Sequence, residues 1–336
     1  MMAEVDTGSR LHFGFYRTTR GRLVFAGIGL AIRKPSFRAM VKPQEGLTVS
    51  GPQHERISQL AEEVVKALGV PGAHVEVRHV IPAHVGLGST TQVKLGLAWA
   101  LNALYGLGMT VRELAFATGR GLFSGIGMLA FEAGGLIVDT GRRETLRDPD
   151  DLPKPLVRLN VPGSWRFLLL VKKGMRGLSE EEEREIMLGL EPMPPDIRSR
   201  IMSLLFDVML PSVLWDDIAS FGRALTEIQE LMGRYFSPYQ GGVFLDEAAE
   251  ELRGFLISSG AYGVGQSSWG PTLYALTTEG RCRELEKAVR NFLGETGLRY
   301  EVLVAEPRNE GAKLTVRSPQ QEASESSSER VASRQA

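Results

Sequence analysis

The segment Pro82-Ala-His-Val-Gly-Leu-Gly-Ser-Thr-Thr-Gln92 joins two different periodicities. Before it, Ala73, Val75, Val77, His79 and Ile81 alternate with mostly polar neighbours, which predicts a strand. After it, residues 90–105 read as a helix. A glycine-rich turn between strand and helix exposes unpaired backbone amides. With the positive end of the helix dipole they make an anion site that phosphate or pyrophosphate fits. Gly86 and Gly88 permit close backbone approach and a positive φ, and Ser89 stands where an amino-terminal cap belongs. An ordinary capped turn is the competing reading of a glycine pair.

Working outward, residues 5–13, 23–32, 37–42 and 47–50 are short, β-rich and punctuated by Gly or Pro, and are expected as paired strands. Arg10 and His12 fall on one face of the first, since alternate residues point the same way. With Arg17, Arg20 and Arg22 they form a concentrated basic stretch, read either as a local phosphate site or as an exposed basic hairpin. Ile57, Leu60, Ala61, Val64, Val65 and Leu68 recur at helical spacing, with Gly69 placed to end that helix. Thr110 and Glu113 form a capping box, and residues 134–139 return as a strand.

The polar, proline-punctuated residues 148–155 are the expected boundary between a first domain, 1–155, and a second, 156–306. The second opens with an apolar strand at 165–171 and continues with helical patterns from Ser179, from Pro195, at 212–233 and at 246–259. A second glycine-rich loop, Gly263-Val-Gly-Gln-Ser-Ser-Trp-Gly-Pro-Thr-Leu-Tyr274, places Gln266, Ser267, Ser268 and Trp269 between two strands. Trp269 is read as stacking on an aromatic ligand or filling the domain interface. A helix at 281–293 and a strand at 300–304 complete the unit. Residues 307–336, turning to Ser, Glu, Gln and Arg, are expected as a disordered tail.

Lysine plus arginine (39) nearly cancels aspartate plus glutamate (40), so no global basic field exists to drive nucleic-acid or membrane binding, and any phosphate site must be local. The single cysteine, Cys282, excludes an intramolecular disulfide and fits a reducing cytoplasm. No apolar run is long enough to span a bilayer. His54, His74 and His79 lack metal-ligand spacing.

In order and spacing, the early strand, the first glycine loop and the late glycine-rich hairpin resemble the three signature regions of the GHMP kinase superfamily. Within it, SRLHFG (Ser9 to Gly14), HVGLGSTTQ (His84 to Gln92), FSGIG (Phe123 to Gly127), GGLIVD (Gly134 to Asp139) and GQSSWGPTLY (Gly265 to Tyr274) resemble the β-ribofuranosylaminobenzene 5′-phosphate synthase family. The resemblance implies a two-domain α+β fold with a ferredoxin-like second domain. It implies a magnesium-dependent cytoplasmic homodimer that condenses 5-phosphoribosyl 1-pyrophosphate with 4-aminobenzoate or 4-hydroxybenzoate, releasing carbon dioxide and pyrophosphate, in methanopterin biosynthesis. Catalytic roles are expected for Arg10, His12 and Ser268, and substrate or phosphate binding for Arg22, His84, Gly86, Leu87, Gly88, Ser89, Thr90, Gln92, Ser124, Gly125, Gln266, Ser267 and Trp269.

Kinases of the superfamily usually carry a carboxylate in the segment matching residues 124–128, which here reads Ser-Gly-Ile-Gly-Met. Its loss suits a ring carbon that regains aromaticity by losing carbon dioxide, since no base must remove a ring proton. An ATP-dependent small-molecule kinase using Glu132 or Asp139, and a non-catalytic phosphate-binding paralogue, are the alternatives.

Overall fold

The computed structural model describes residues 1–18 and 22–318. In chain order the first unit runs β1 (Met2–Arg17), β2 (Leu23–Val24), β3 (Ala26–Pro43), β4 (Gly46–Ser50), α1 (His54–Leu68), β5 (Gly72–His79), α2 (Ser89–Tyr105), α3 (Val111–Ala117), α4 (Ile126–Ala133), β6 (Leu136–Asp139), β7 (Arg142–Arg143) and β8 (Pro155–Leu159). The second runs β9 (Trp165–Lys172), α5 (Glu180–Gly189), α6 (Pro195–Ser203), α7 (Leu210–Leu214), α8 (Ile218–Gln240), α9 (Ala249–Ser258), β10 (Gly263–Gln266), β11 (Thr272–Thr278), α10 (Glu279–Thr296) and β12 (Tyr300–Ala305). A last strand, β13 (Lys313–Arg317), returns to the first unit and pairs with β1.

Local chemistry explains the helix limits. Gly69 closes α1 in the left-handed conformation at φ 63°, and Thr110 with Glu113 makes the reciprocal capping box of α3. Ser179 and Glu182 do the same for α5. Among the described residues, β13-β1-β3-β5-β4 form one sheet, extended by β6 on β3 and β8 on β6. The helix α2 lies against β1 and β3, flanked by α1 and α4.

The second sheet has the order β10-β11-β9-β12, the 4-1-3-2 arrangement of a ferredoxin-like unit read from the other end. Along β9, Leu168 and Leu170 join the core under α9 and α10, while Phe167, Leu169 and Val171 face the opposite way. There Phe167, Phe221 and Tyr274 surround Phe13 of β1, with ring centroids 6.5, 6.4 and 5.5 Å away. This aromatic cluster welds the two units and fixes β1, which carries Arg10 and His12, beside the late glycine loop.

Three expectations are corrected. The strand expected at 23–32 is split, Leu23–Val24 forming β2 and the rest from Ala26 running with the strand expected at 37–42 into a single β3, where a cis Lys34–Pro35 bond falls in a stretch without partners in the ladder to β1 between Ile32 and Phe37. The boundary at 155/156 cuts β8, which pairs with β6 in the first sheet. The start of the expected tail is ordered, because Arg308 is buried, donates to Asp6 Oδ1 at 2.8 Å, and is followed by β13. The rest of that tail lies outside the described residues.

Candidate functional site

The turn into α2 departs from ordinary capping. Gly88 is the cap residue, at φ 77°, and among the described residues no side chain bonds the first amides of the helix. Ser89 begins the helix instead, its hydroxyl donating to the Ile81 carbonyl at 2.9 Å and accepting from Arg56 Nη2 at 2.9 Å. The expected Ser89 cap is therefore not made, and the leading amides of α2 stay unclaimed beside a cleft of about 340 Å³.

The second glycine loop is pressed onto the first. The Gly86 carbonyl accepts from Ser267 Oγ at 2.6 Å and from the Arg10 guanidinium. Ser267 Oγ also accepts from the His12 amide at 3.1 Å, and the Arg10 amide donates to the Leu87 carbonyl at 3.1 Å. A Cβ on Gly86 would lie 2.0 Å from the Ser267 carbonyl oxygen, so glycine is required for this contact. Burial lowers the Arg10 pKa to about 10, partly opposed by Glu183, which leaves the guanidinium charged at neutral pH.

His12 lies at a bulge in the β1–β3 ladder, of the kind that re-aims side chains beside sites. Its Nδ1 accepts from the Gly14 amide at 3.2 Å, and its Nε2 is 2.9 Å from Ser124 Oγ. Burial, then the Arg10 charge, hold its pKa well below the ordinary value, so the ring is neutral. Behind this corner lies Asp139, fully buried. Its Oδ1 accepts from the Gly27 and Gly141 amides at 3.0 and 2.7 Å, while Oδ2 has no partner among the described residues. Burial raises its pKa to about 7 against the pull of those amides.

The far wall is charged. Arg120 forms a two-pronged pair with Glu180 at 2.9 and 3.1 Å, and Glu183 faces Arg10. Burial also raises the Glu183 pKa, which Arg10 opposes. Beneath the cleft a recess of about 40 Å³ is bounded by Phe15, Met232, Phe236 and Trp269 and reaches His12 and Ser268. A wider groove of about 680 Å³ lies between α8 and α9, but it contains none of the glycine-loop residues and Arg253 there is paired with Glu230. Its size does not make it the site.

Of the expected residues, Arg10, His84, Gly86, Leu87, Gly88, Ser89, Thr90, Ser124, Ser268 and Trp269 line the cleft together. Leu87 contributes backbone, its side chain being core. His12 and Ser267 support the cleft from behind. Gln92 donates to the Gly127 carbonyl, Gln266 braces Leu245 and Ser268 and borders the recess, and Gly125 caps α4 against Pro153; these three do not line the cleft itself. Trp269 packs edge-on against Phe236 at 4.4 Å and lines the cleft. Arg22 is exposed beside Arg143 and Asp148, away from the cleft lining, and Arg20 lies outside the described residues. Sequence reasoning missed Arg56, Arg120, Glu180 and Glu183. The run of glutamates after the Ser179 cap was a visible signal, but nothing local tied it to the loops.

Residues 55–135 match the GHMP kinases N terminal domain and residues 209–295 the GHMP kinases C terminal family. Homoserine kinase from Cytophaga hutchinsonii has the same fold, with a TM-score of 0.63 and 16% identity over 94% of this chain and 97% of that one. The architecture is that of the GHMP kinase superfamily. Beta-ribofuranosylphenol 5'-phosphate synthases from Archaeoglobus fulgidus and Methanothermobacter thermautotrophicus are 32% and 30% identical to it. Those alignments span 94% and 92% of this chain and 100% and 97% of the relatives. The chain belongs to the beta-ribofuranosylphenol 5'-phosphate synthase family.

Proposed function

We propose that this chain is a transferase that joins the ribose of 5-phosphoribosyl 1-pyrophosphate to the ring of a 4-substituted benzoate. The carrying observation is the convergence of both glycine loops and Arg10 on the Gly86 carbonyl, beside a cleft whose 124–128 wall holds no carboxylate. The α2 amides and the Arg10 guanidinium take the pyrophosphate and steady its departure with the electron pair of the broken C–O bond. The ring carbon bearing the carboxylate forms the new bond to ribose C1. The carbon–carboxylate bond then breaks, its electron pair returns to the ring, and carbon dioxide leaves. No proton is transferred and nothing is oxidised.

The cleft's task is therefore to align two reactants and shield the cationic ribose from water. Neither carboxylate considered for a kinase lines the cleft, since Glu132 is exposed and Asp139 is buried. No group of three or more His, Cys, Asp or Glu able to hold a metal occurs among the described residues. Magnesium suits this site as an ion brought by the pyrophosphate, with Glu180 or Glu183 within the same cleft, because it binds well to phosphate oxygens with few carboxylates. It would offset charge on the leaving group.

The relatives' names contain the phenol, which favours 4-hydroxybenzoate over 4-aminobenzoate as the acceptor. Carboxyl-labelled 4-hydroxybenzoate with phosphoribosyl pyrophosphate and magnesium, without ATP, should release labelled carbon dioxide and pyrophosphate in equal amounts. The same assay with 4-aminobenzoate settles the preference. Label from neither acid, with ATP consumed in the presence of a hydroxyl substrate, overturns the proposal.

A further inference from the structure

The hydrogen bonds around Ser124 leave its hydroxyl a single role. Because the Gly14 amide donates to His12 Nδ1, the ring proton sits on Nε2, which faces Ser124 Oγ at 2.9 Å. The Ile126 amide donates to the same oxygen at 3.3 Å. Both lone pairs of Oγ are taken, and only its proton remains to be offered. Ser124 lines the cleft, so the proton is available to a bound molecule. A buried, neutral His12 keeps this tautomer at ordinary pH.

We propose that Ser124 is a specificity-determining residue whose hydroxyl donates to the carboxylate of the aromatic acceptor, with His12 as the positioning residue that enforces the donor role. The inference rests on the transferase reading and deepens it. The phosphate oxygens are already served by the α2 amides and Arg10, whereas Ser124 directly follows the apolar Leu122 and Phe123 in the cleft lining. The amino or hydroxyl group at the far end of the ring must release electron density towards the attacking carbon, and a donor placed on it would oppose that. The carboxylate can only accept. A lone neutral donor also suits a group that must depart as carbon dioxide, because a guanidinium would stabilise the charged ground state more than the transition state.

Steady-state kinetics on the full chain with 4-hydroxybenzoate and phosphoribosyl pyrophosphate test this. Ser124→Ala should raise KM for the acid by about tenfold or more, the worth of a hydrogen bond to a charged group, and leave KM for phosphoribosyl pyrophosphate within about twofold. Ser124→Thr, which keeps a hydroxyl, should recover most of the loss. His12→Gln places an amide Nε2 near the ring Nε2 and should also recover it, whereas His12→Leu should reproduce the Ser124→Ala defect. Circular dichroism melts establish that each variant is folded. A rise in KM for phosphoribosyl pyrophosphate instead assigns Ser124 to a phosphate and overturns the inference, as does an unchanged KM for both. If His12→Leu does not fold, the Gln variant decides the positioning role: loss equal to that of Ser124→Ala refutes it. A native enzyme inactive with every benzoate defeats the transferase reading itself, whereas an active native enzyme with an unaltered Ser124→Ala variant defeats this inference alone.

Discussion

Asp139→Asn isolates the titration of a carboxyl group buried to 0% exposure at the end of β6. Burial moves its pKa from an ordinary 3.8 to about 7. The unfolded chain gives up this proton near pH 4, while the folded chain keeps it until near neutrality. Across that window the folded state binds more protons, so the contribution is fully present below the lower value and fades as pH rises through the upper one. From 3.8 to about 7, at ~1.36 kcal/mol for each tenfold change in proton affinity, the loss is about 4 kcal/mol. Asparagine keeps an oxygen for the Gly27 and Gly141 amides and carries no charge, so its stability lacks this slope.

Urea unfolding of both proteins at steps from about pH 4 to about pH 8 gives the difference in stability, in which all other titrating groups cancel. That difference should move by about 4 kcal/mol in favour of the variant as pH rises. A difference that changes by less than about 1 kcal/mol, or moves the other way, refutes the argument that burial governs Asp139.

Two further outcomes follow from the geometry. Gly86→Ala puts a Cβ 2.0 Å from the Ser267 carbonyl at φ 83°, and Gly88→Val crowds Arg10 at 3.1 Å with φ 77°. Each should weaken calorimetric binding of phosphoribosyl pyrophosphate by at least about tenfold in a folded protein, and unchanged affinity would remove the loops from phosphate binding. Arg308→Ala should cost about 3 kcal/mol in urea unfolding, because the buried guanidinium holds Asp6 and the Gly311 carbonyl; a loss under about 1 kcal/mol contradicts that role.

Features set by neighbours in the chain were legible from sequence. The strand-turn-helix around Gly86 and Gly88, the Thr110 cap, the helix start at Ser179 and the Gly69 stop all depend on a few adjacent residues. The limits of β1 and β3 were not, since their length comes from pairing with each other along the sheet rather than from local propensity. Asp139 stood out in the sequence only as an alternative kinase carboxylate, because its burial and the partnerless Oδ2 depend on how α4 and Pro153 close over it. Arg22 illustrates the opposite failure. Closeness in sequence to Arg10 suggested a shared site, yet β1 runs far enough to carry the two apart. Ser89 read as a cap because residue type matched position, but Ile81 offered its hydroxyl a competing acceptor.

The pairing of Met2 with Arg317 brings the two described ends of the chain side by side in one sheet. A short linker from residue 318 to residue 1, with a new opening at the exposed Gly163 between β8 and β9, would yield a circular permutant. In that order each unit becomes one uninterrupted piece of chain. The β13–β1 ladder, which now closes a loop of some three hundred residues, would become a local hairpin, and the entropic cost of forming that edge would shrink accordingly.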